Sequence, residues 1–238
     1  MKRVYKYIAA MLGMMAFTLQ TFAQSDAQRQ AESIFQAYQS SPALSFKAVI
    51  KMYPAGKPQQ LIDQVNADYV LQRDKYYCKM GNVEIVHNSE SSLVVDHDDK
   101  IVLVGGSHPA QRKSKQEEAA FDLQSLLFRM QLDSVKYTVV QKGAQKELSI
   151  TGMADPRVRK YRILYDPATF LVKQLQIEML PEDQTFGKDP LVVDINYYQY
   201  NKTPKPDSFF TSGKFVDLKG KSTRLKPAYN AYQLVNQL

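Results

Sequence analysis

The chain has 238 residues and a formal net charge of +7 at pH 7. Its single cysteine excludes an intramolecular disulfide, so the fold has to be stabilised by a packed core. The basic residues form no run interleaved with aromatic residues, so the composition predicts no nucleic-acid partner.

The first 23 residues are typical of a secretory signal peptide. A basic start precedes an uncharged apolar run over residues 8–19, and Thr21 and Ala23 give the small-x-small pattern of a cleavage site. The apolar run is shorter than the ~20 residues that a membrane-spanning helix needs, which favours cleavage over anchoring. We therefore expect residues 1–23 to be removed and residues 24–238 to form one exported domain.

A helix followed by a strand opens the mature chain. A stripe of apolar residues at helical spacing predicts a helix over residues 25–39, and Ser40–Pro42 ends it. The stripe consists of Ala27, Ala31, Ile34, Phe35 and Tyr38. Residues 44–53 then largely alternate between apolar and polar, which predicts a strand with one buried face.

The next stretch, residues 67–106, has the pattern of a β-meander. Apolar runs of strand length are separated by turn formers at Gly81–Asn82, Asn88–Ser92 and His97–Lys100. Consecutive strands joined by tight turns favour antiparallel pairing. Cys78 lies within one of these runs, and we interpret it as a small apolar strand residue rather than a reactive thiol.

A second helix is predicted over residues 115–131. Ser114 and Glu117 have the spacing of a capping box at its start. The apolar residues that follow at helical spacing are Ala119, Ala120, Leu123, Leu126, Leu127 and Met130. Such a wide apolar stripe has to cover another surface, and an open face of the sheet is the natural partner.

The rest of the chain returns to strand patterns. Apolar residues alternate with polar ones within residues 135–139, 161–165, 171–179 and 191–197. The patterns together predict an α+β fold with about ten consecutive antiparallel strands, a sheet large enough to twist strongly and curl. The tail over residues 229–235 is apolar, but its pattern does not assign it to an element.

Three short segments have a distinctive order of residue types. Leu71–Tyr77 contains an arginine, a turn and aromatic residues, while Leu93–Leu103 and Asp166–Ile177 have the pattern of hairpins. These segments resemble a strand and two hairpins of the periplasmic lipoprotein carrier family LolA and its superfamily of lipoprotein-sorting half-barrels. The sequence departs from the family at Asp74, where a proline is usual, and at Asp99, where a glycine is usual. The resemblance implies a half-barrel: a strongly curved antiparallel sheet with helices covering its concave face.

The same resemblance implies binding rather than catalysis. It indicates a periplasmic carrier of a lipid or lipoprotein acyl chain, with no enzymatic activity, no metal and no cofactor. The cavity-lining residues that it implies are Phe46, Ile50, Tyr69, Leu71, Leu123 and Leu127. Arg73 would correspond to an arginine that latches a helical lid by hydrogen bonding. The alternative is an ordinary core position for each lining residue and a solvated side chain at a strand end for Arg73.

Two other functions are compatible with the sequence. One is an envelope binding or scaffold protein that uses the outer surface of the same fold, with a protein partner or a transient contact with a membrane surface. The other is a hydrolase or metal site at Asp96–Asp99, where His97 lies among carboxylates. Because alternate side chains of a strand point to opposite faces, we interpret this tetrad as a polar hairpin tip instead.

Overall fold

A computed structural model describes residues 26–106, 135–153, 155–180, 189–219 and 222–237. Helix α1 spans residues 26–39, which confirms the first predicted helix. The predicted signal peptide and the predicted helix over 115–131, with Leu123 and Leu127, lie outside the described residues. In the part of the chain that is described, no helix combines the length and the apolar character that crossing a membrane would require.

Most of the strands lie where the period-2 pattern and the turn formers predict them. In chain order they are β1 (Leu44–Pro54), β2 (Asp63–Gln72), β3 (Lys75–Met80), β4 (Val83–His87), β5 (Ser91–Asp96), β6 (Ile101–Gly106), β7 (Lys136–Lys142), β8 (Gln145–Thr151), β9 (Val158–Tyr165), β10 (Val172–Met179), β11 (Leu191–Asn201), β12 (Val216–Lys219), β13 (Ser222–Leu225) and β14 (Gln233–Gln237). Short 3-10 helices lie at Asp207–Phe210, Ser212–Lys214 and Pro227–Tyr229.

The main sheet is open and mostly antiparallel. Within the described residues its 12 strands follow the order β14-β6-β5-β4-β3-β2-β1-β11-β10-β9-β8-β7, so β14 and β7 are the edges of the sheet that these residues form. The first meander, β1 to β6, joins the second, β7 to β11, through the antiparallel pair β1 and β11. These findings confirm a large antiparallel sheet with a helix. A set of helices over a concave face is not confirmed, since α1 is the one α-helix of the described residues.

The alternation of side chains along β1 defines the two faces of the sheet. Phe46 and Ala48 are 3% and 0% exposed and share a core with Ile34 and Tyr38 of α1. We call the face that carries this core the helix face. Lys47 lies between these two residues on the opposite face, where it forms an ion pair with Asp68 of the neighbouring strand β2.

The C-terminal segment covers the opposite face of β4 to β6 with a second core. Phe215 and Val216, both almost fully buried, pack against a set of apolar strand residues. That set consists of Val86, Leu93, Val95, Val102 and Val104. β14 then pairs in parallel with β6 and extends the sheet. The end of the apolar tail, which the sequence pattern does not assign to an element, is therefore a strand. A parallel pairing between strands so distant in the chain has no local sequence signal.

A β-bulge near the end of β11 changes which side chains face α1. Gln199 has a φ of 54°, in the left-handed region. The register between β1 and β11 shifts at the same place, between Ser45 and Lys47. Strict alternation from Tyr197 would turn Tyr200 away from the helix face, whereas the bulge lets both tyrosines pack against its core.

Candidate functional site

Phe46 lies at the centre of an aromatic cluster on the helix face. Its ring centroid is 5.0 Å from that of Tyr69 in a stacked arrangement, and 5.6 Å and 5.3 Å from those of Tyr197 and Tyr200. Tyr38 of α1 meets Phe46 edge-on at 6.2 Å. Aromatic pairs of this kind add about 0.5–1.5 kcal/mol beyond the area they bury. The cluster therefore holds α1 against β1, β2 and β11.

Two tyrosine hydroxyls connect α1 to the start of β10. Tyr200 donates to the Val172 carbonyl at 2.5 Å, and the Val172 N–H donates to the Tyr38 hydroxyl at 3.1 Å. The two hydroxyl oxygens lie 2.7 Å apart, and Tyr38 donates in this pair because Tyr200 has already used its hydrogen. The ladder between β9 and β10 is irregular at Val172. The hydroxyls thus satisfy backbone groups next to that irregularity.

Replacing Tyr200 with phenylalanine is expected to destabilise the protein by about 1–3 kcal/mol. The Val172 carbonyl and the Tyr38 hydroxyl would each lose a hydrogen-bond partner in a buried site, where water does not replace it. Urea unfolding followed by circular dichroism measures this change. Tyr198→Phe is the matched control: its side chain is 39% exposed, and its effect is expected to stay within about 0.5 kcal/mol. Equal losses in the two variants would contradict a role for the hydroxyl network.

The buried tyrosines also predict a loss of stability at alkaline pH. Burial raises the pKa of Tyr38 and of Tyr165 to about 12, from the ordinary value of 10.0. Above about pH 10 the unfolded chain releases these protons while the folded chain retains them. Stability from these groups is therefore complete below pH 10 and falls as the pH rises towards 12. Tyrosinate absorbance recorded together with circular dichroism tests this, and titration of every tyrosine near pH 10 in an intact fold would contradict it.

An apolar row crosses the helix face from β1 to β6. Each member is the register partner of the next, and we call this set the apolar row: Phe46, Tyr69, Cys78, Ile85, Val94 and Leu103. Phe46, Tyr69 and Cys78 are 3%, 6% and 2% exposed, whereas Ile85, Val94 and Leu103 are only partly buried. The row thus leads from the core beneath α1 to partly accessible apolar side chains.

The structure brings four of the predicted lining residues together. Phe46 and Tyr69 stack on each other within the core, so both also fit the alternative of core residues. Ile50 and Leu71 are partly buried and pack against the same core. Arg73 is exposed at the β2–β3 turn with a φ of 54°, a position that matches a solvated side chain. Its role as a latch stays a prediction.

Sequence analysis missed the contribution of Tyr200 and of the outer half of the apolar row. Tyr200 enters the cluster through the bulge at Gln199, and a left-handed residue other than glycine leaves no period-2 signal. In the sequence, Ile85, Val94 and Leu103 do lie within the apolar runs that predict the strands of the meander. Pairing the two hairpins β4–β5 and β5–β6 in register would have aligned them, because the turns of these hairpins fix which residues are neighbours.

The tetrad at Asp96–Asp99 forms the tip between β5 and β6. One carboxylate oxygen of Asp96 accepts the backbone N–H groups of Asp98 and Asp99 at 2.9 and 3.0 Å, as in a polar turn. His97 instead reaches Glu84 at 3.2 Å and the Tyr232 hydroxyl at 2.9 Å, next to the second core. Among the described residues, no three His, Cys, Asp or Glu side chains are grouped in a way that could hold a metal ion.

Neither a protein-family model nor a curated protein sequence matches the chain. Among solved structures, an uncharacterised conserved protein from Thermus thermophilus is 9% identical, with a TM-score of 0.49 over 87% of this chain and 99% of that one. A LolA superfamily protein from Nitrosomonas europaea is 10% identical, with a TM-score of 0.37 over 79% of this chain and 98% of that one. A chain of the Pseudomonas aeruginosa MucA/MucB complex is 14% identical, with a TM-score of 0.38 over 79% of this chain and 62% of that one.

LolA-like proteins are among the solved structures that this chain resembles. The resemblance predicted from the sequence is confirmed to that extent. Because all of these TM-scores are below 0.5 and all of these identities are below 25%, no function follows from the similarity.

Proposed function

We propose that this chain is an exported envelope protein that binds an acyl chain of a lipid or lipoprotein on the helix face of its sheet and acts as a carrier in lipoprotein sorting. The observation that carries this proposal is the apolar row, which is buried beneath α1 and partly accessible over β4 to β6. The predicted signal peptide and the short segments that resemble LolA support export to the periplasm.

The apolar row has the shape and chemistry of an acyl-chain site. Neighbouring strands of a sheet are about 4.8 Å apart, so the three partly accessible members on β4 to β6 span roughly 10 Å, enough to cover part of a long acyl chain. Each methylene buried there contributes about 0.8 kcal/mol to binding. Partly buried members such as Ile85 and Leu103 can gain burial from a ligand, whereas Phe46 and Tyr69 are already packed.

Extraction of the purified protein with organic solvent, followed by lipid mass spectrometry, tests the proposal directly. Stoichiometric lipid, together with saturable displacement of an acyl fluorophore by that lipid, is the expected result. A protein that contains no extractable lipid and binds no acyl fluorophore would overturn the carrier function.

Chemical modification of Cys78 provides a second test, because its rate reports on access to the apolar row. It is the one cysteine of the chain and lies in the row between Tyr69 and Ile85. Because its side chain is 2% exposed, a thiol reagent can reach it only when the row opens. A bound acyl chain is expected to slow its modification. An unchanged rate under saturating acyl ligand would place the ligand away from the row.

One observation favours a binding protein that uses the outside of the sheet as the alternative. β7 is an edge strand of the described sheet, and Val140 on it is 48% exposed. An edge strand offers unpaired backbone groups that a partner strand can extend. This function predicts a stoichiometric complex with an envelope protein that Val140→Lys weakens, without any bound lipid. A complex that survives this substitution would not use β7.

A further inference from the structure

The segment that follows β11 carries exposed lysines around an aromatic ring. Residues 202–214, which we call the basic loop, contain Lys202, Lys205 and Lys214, all exposed. The ammonium groups of Lys205 and Lys214 lie 5.9 and 5.1 Å from the centre of the Phe209 ring. Two cations are therefore gathered at one partly buried aromatic ring by cation–π attraction.

The basic loop is fixed to the sheet at several points. Gln72 at the end of β2 accepts the Lys205 N–H at 2.8 Å and donates to the Lys205 carbonyl at 3.1 Å. Asn88, in the β4–β5 turn, donates to the Phe210 carbonyl at 2.9 Å. Phe209 packs on Tyr77 of β3, with ring centres 4.8 Å apart. The lysines thus project from an anchored surface.

The neighbouring acids do not neutralise these lysines. Asp207, the acid within the loop, is held by the Lys75 ammonium at 2.6 Å. That hydrogen bond and the charge of Lys75 lower the pKa of the Asp207 carboxyl, so it stays ionised and paired. Arg73 and Asp74 both lie in the adjacent β2–β3 turn, so their opposite formal charges cancel. Among the described residues, no carboxylate forms an ion pair with Lys202, Lys205 or Lys214.

We propose that the basic loop is a docking surface for a membrane that contains anionic phospholipids. Lysines near such a surface are attracted to its negative potential, and a phenylalanine ring beside them can enter the boundary between headgroups and acyl chains. A soluble polyanion would use the lysines alone, so the contact of Phe209 with two cations favours the membrane. The inference goes beyond the proposed function, because docking through this surface requires no bound acyl chain.

Sedimentation with phosphatidylglycerol–phosphatidylcholine vesicles tests the surface. The purified protein is expected to bind these vesicles, to bind pure phosphatidylcholine vesicles far less, and to be released by salt. The double variant Lys205→Gln/Lys214→Gln is expected to bind roughly 10- to 30-fold more weakly, from about fivefold per lysine. The matched control, Lys136→Gln/Lys142→Gln, removes the same charge from exposed positions on β7 and is expected to change binding less than threefold.

Two further measurements separate a membrane from other anions. Phe209→Ser keeps all three lysines and is expected to weaken vesicle binding several-fold. Inorganic phosphate is expected to displace the protein no more than chloride of equal ionic strength. The proposal is overturned if the control loses as much binding as the loop variant, if Phe209→Ser leaves binding unchanged, or if phosphate displaces the protein more than chloride of equal ionic strength does. Since vesicle binding and lipid extraction are read separately, failure of docking is distinguishable from failure of the carrier function.

Discussion

Replacement of Ile85 by lysine is expected to weaken binding of an acyl fluorophore at least roughly 30-fold. Ile85 lies in the middle of the apolar row and is partly buried, so an acyl chain on the row would cover it. Removing such a side chain forfeits about 2 kcal/mol of apolar burial, which corresponds to roughly 30-fold in affinity. The ammonium group adds the cost of burying a charge without a partner. Fluorescence titration of the purified variant measures the change.

The control for Ile85→Lys is another replacement of a β-branched apolar residue by lysine, made elsewhere on the sheet. Val140 is 48% exposed on edge strand β7, so Val140→Lys is expected to leave acyl binding within about twofold. Circular dichroism and a thermal melt establish that both variants are folded. Should Ile85→Lys reduce folding, Ile85→Ser removes the same apolar surface without a charge. Wild-type affinity in a folded Ile85 variant would mean that an acyl chain binds away from the row.

The sequence was sufficient to predict the elements whose signal is local. The stripe from Ala27 to Tyr38 predicts α1, and the alternation over residues 44–53 predicts β1 with Phe46 on its buried face. Gly81 adopts a φ of 57° in the turn between β3 and β4, as a turn-forming glycine at this place predicts. Local pattern succeeds here because burial of one face and turn geometry are both decided within a few residues.

The features that the sequence did not predict depend on contacts between distant segments. The parallel pairing of β14 with β6 forms only because the C-terminal segment returns to the edge of the sheet at β6, far from β14 in the sequence. Phe215 and Val216 form a second core on the opposite face of the main sheet, and the hairpin of β12 and β13 that begins at Val216 lies outside that sheet. Tyr200 reaches the candidate site only because Gln199 adopts a left-handed conformation. None of these outcomes is encoded in the periodicity of one segment.

Replacement of Phe46 by alanine is expected to lower the free energy of unfolding by about 3–5 kcal/mol. Phe46 is 3% exposed, and four aromatic rings surround it, so the substitution leaves a cavity whose walls come from α1, β2 and β11. Urea unfolding monitored by circular dichroism measures the loss. Val49→Ala, a partly exposed position on the opposite face of the same strand, is the control and should cost about 1 kcal/mol or less.

The Phe46 variant also distinguishes a core residue from a lining residue. If Phe46 only packs the core, a folded Phe46→Ala protein loses stability while its affinity for an acyl fluorophore stays near that of the wild type. If an acyl chain reaches the row as far as β1, the new cavity gives it additional apolar room, and affinity for longer chains rises relative to shorter ones. We expect the first result, because Tyr38 and Tyr200 already close the space around Phe46.

The stability measurement has its own contradicting outcome. A loss of stability below about 1 kcal/mol in Phe46→Ala would contradict the central place of Phe46 in the core.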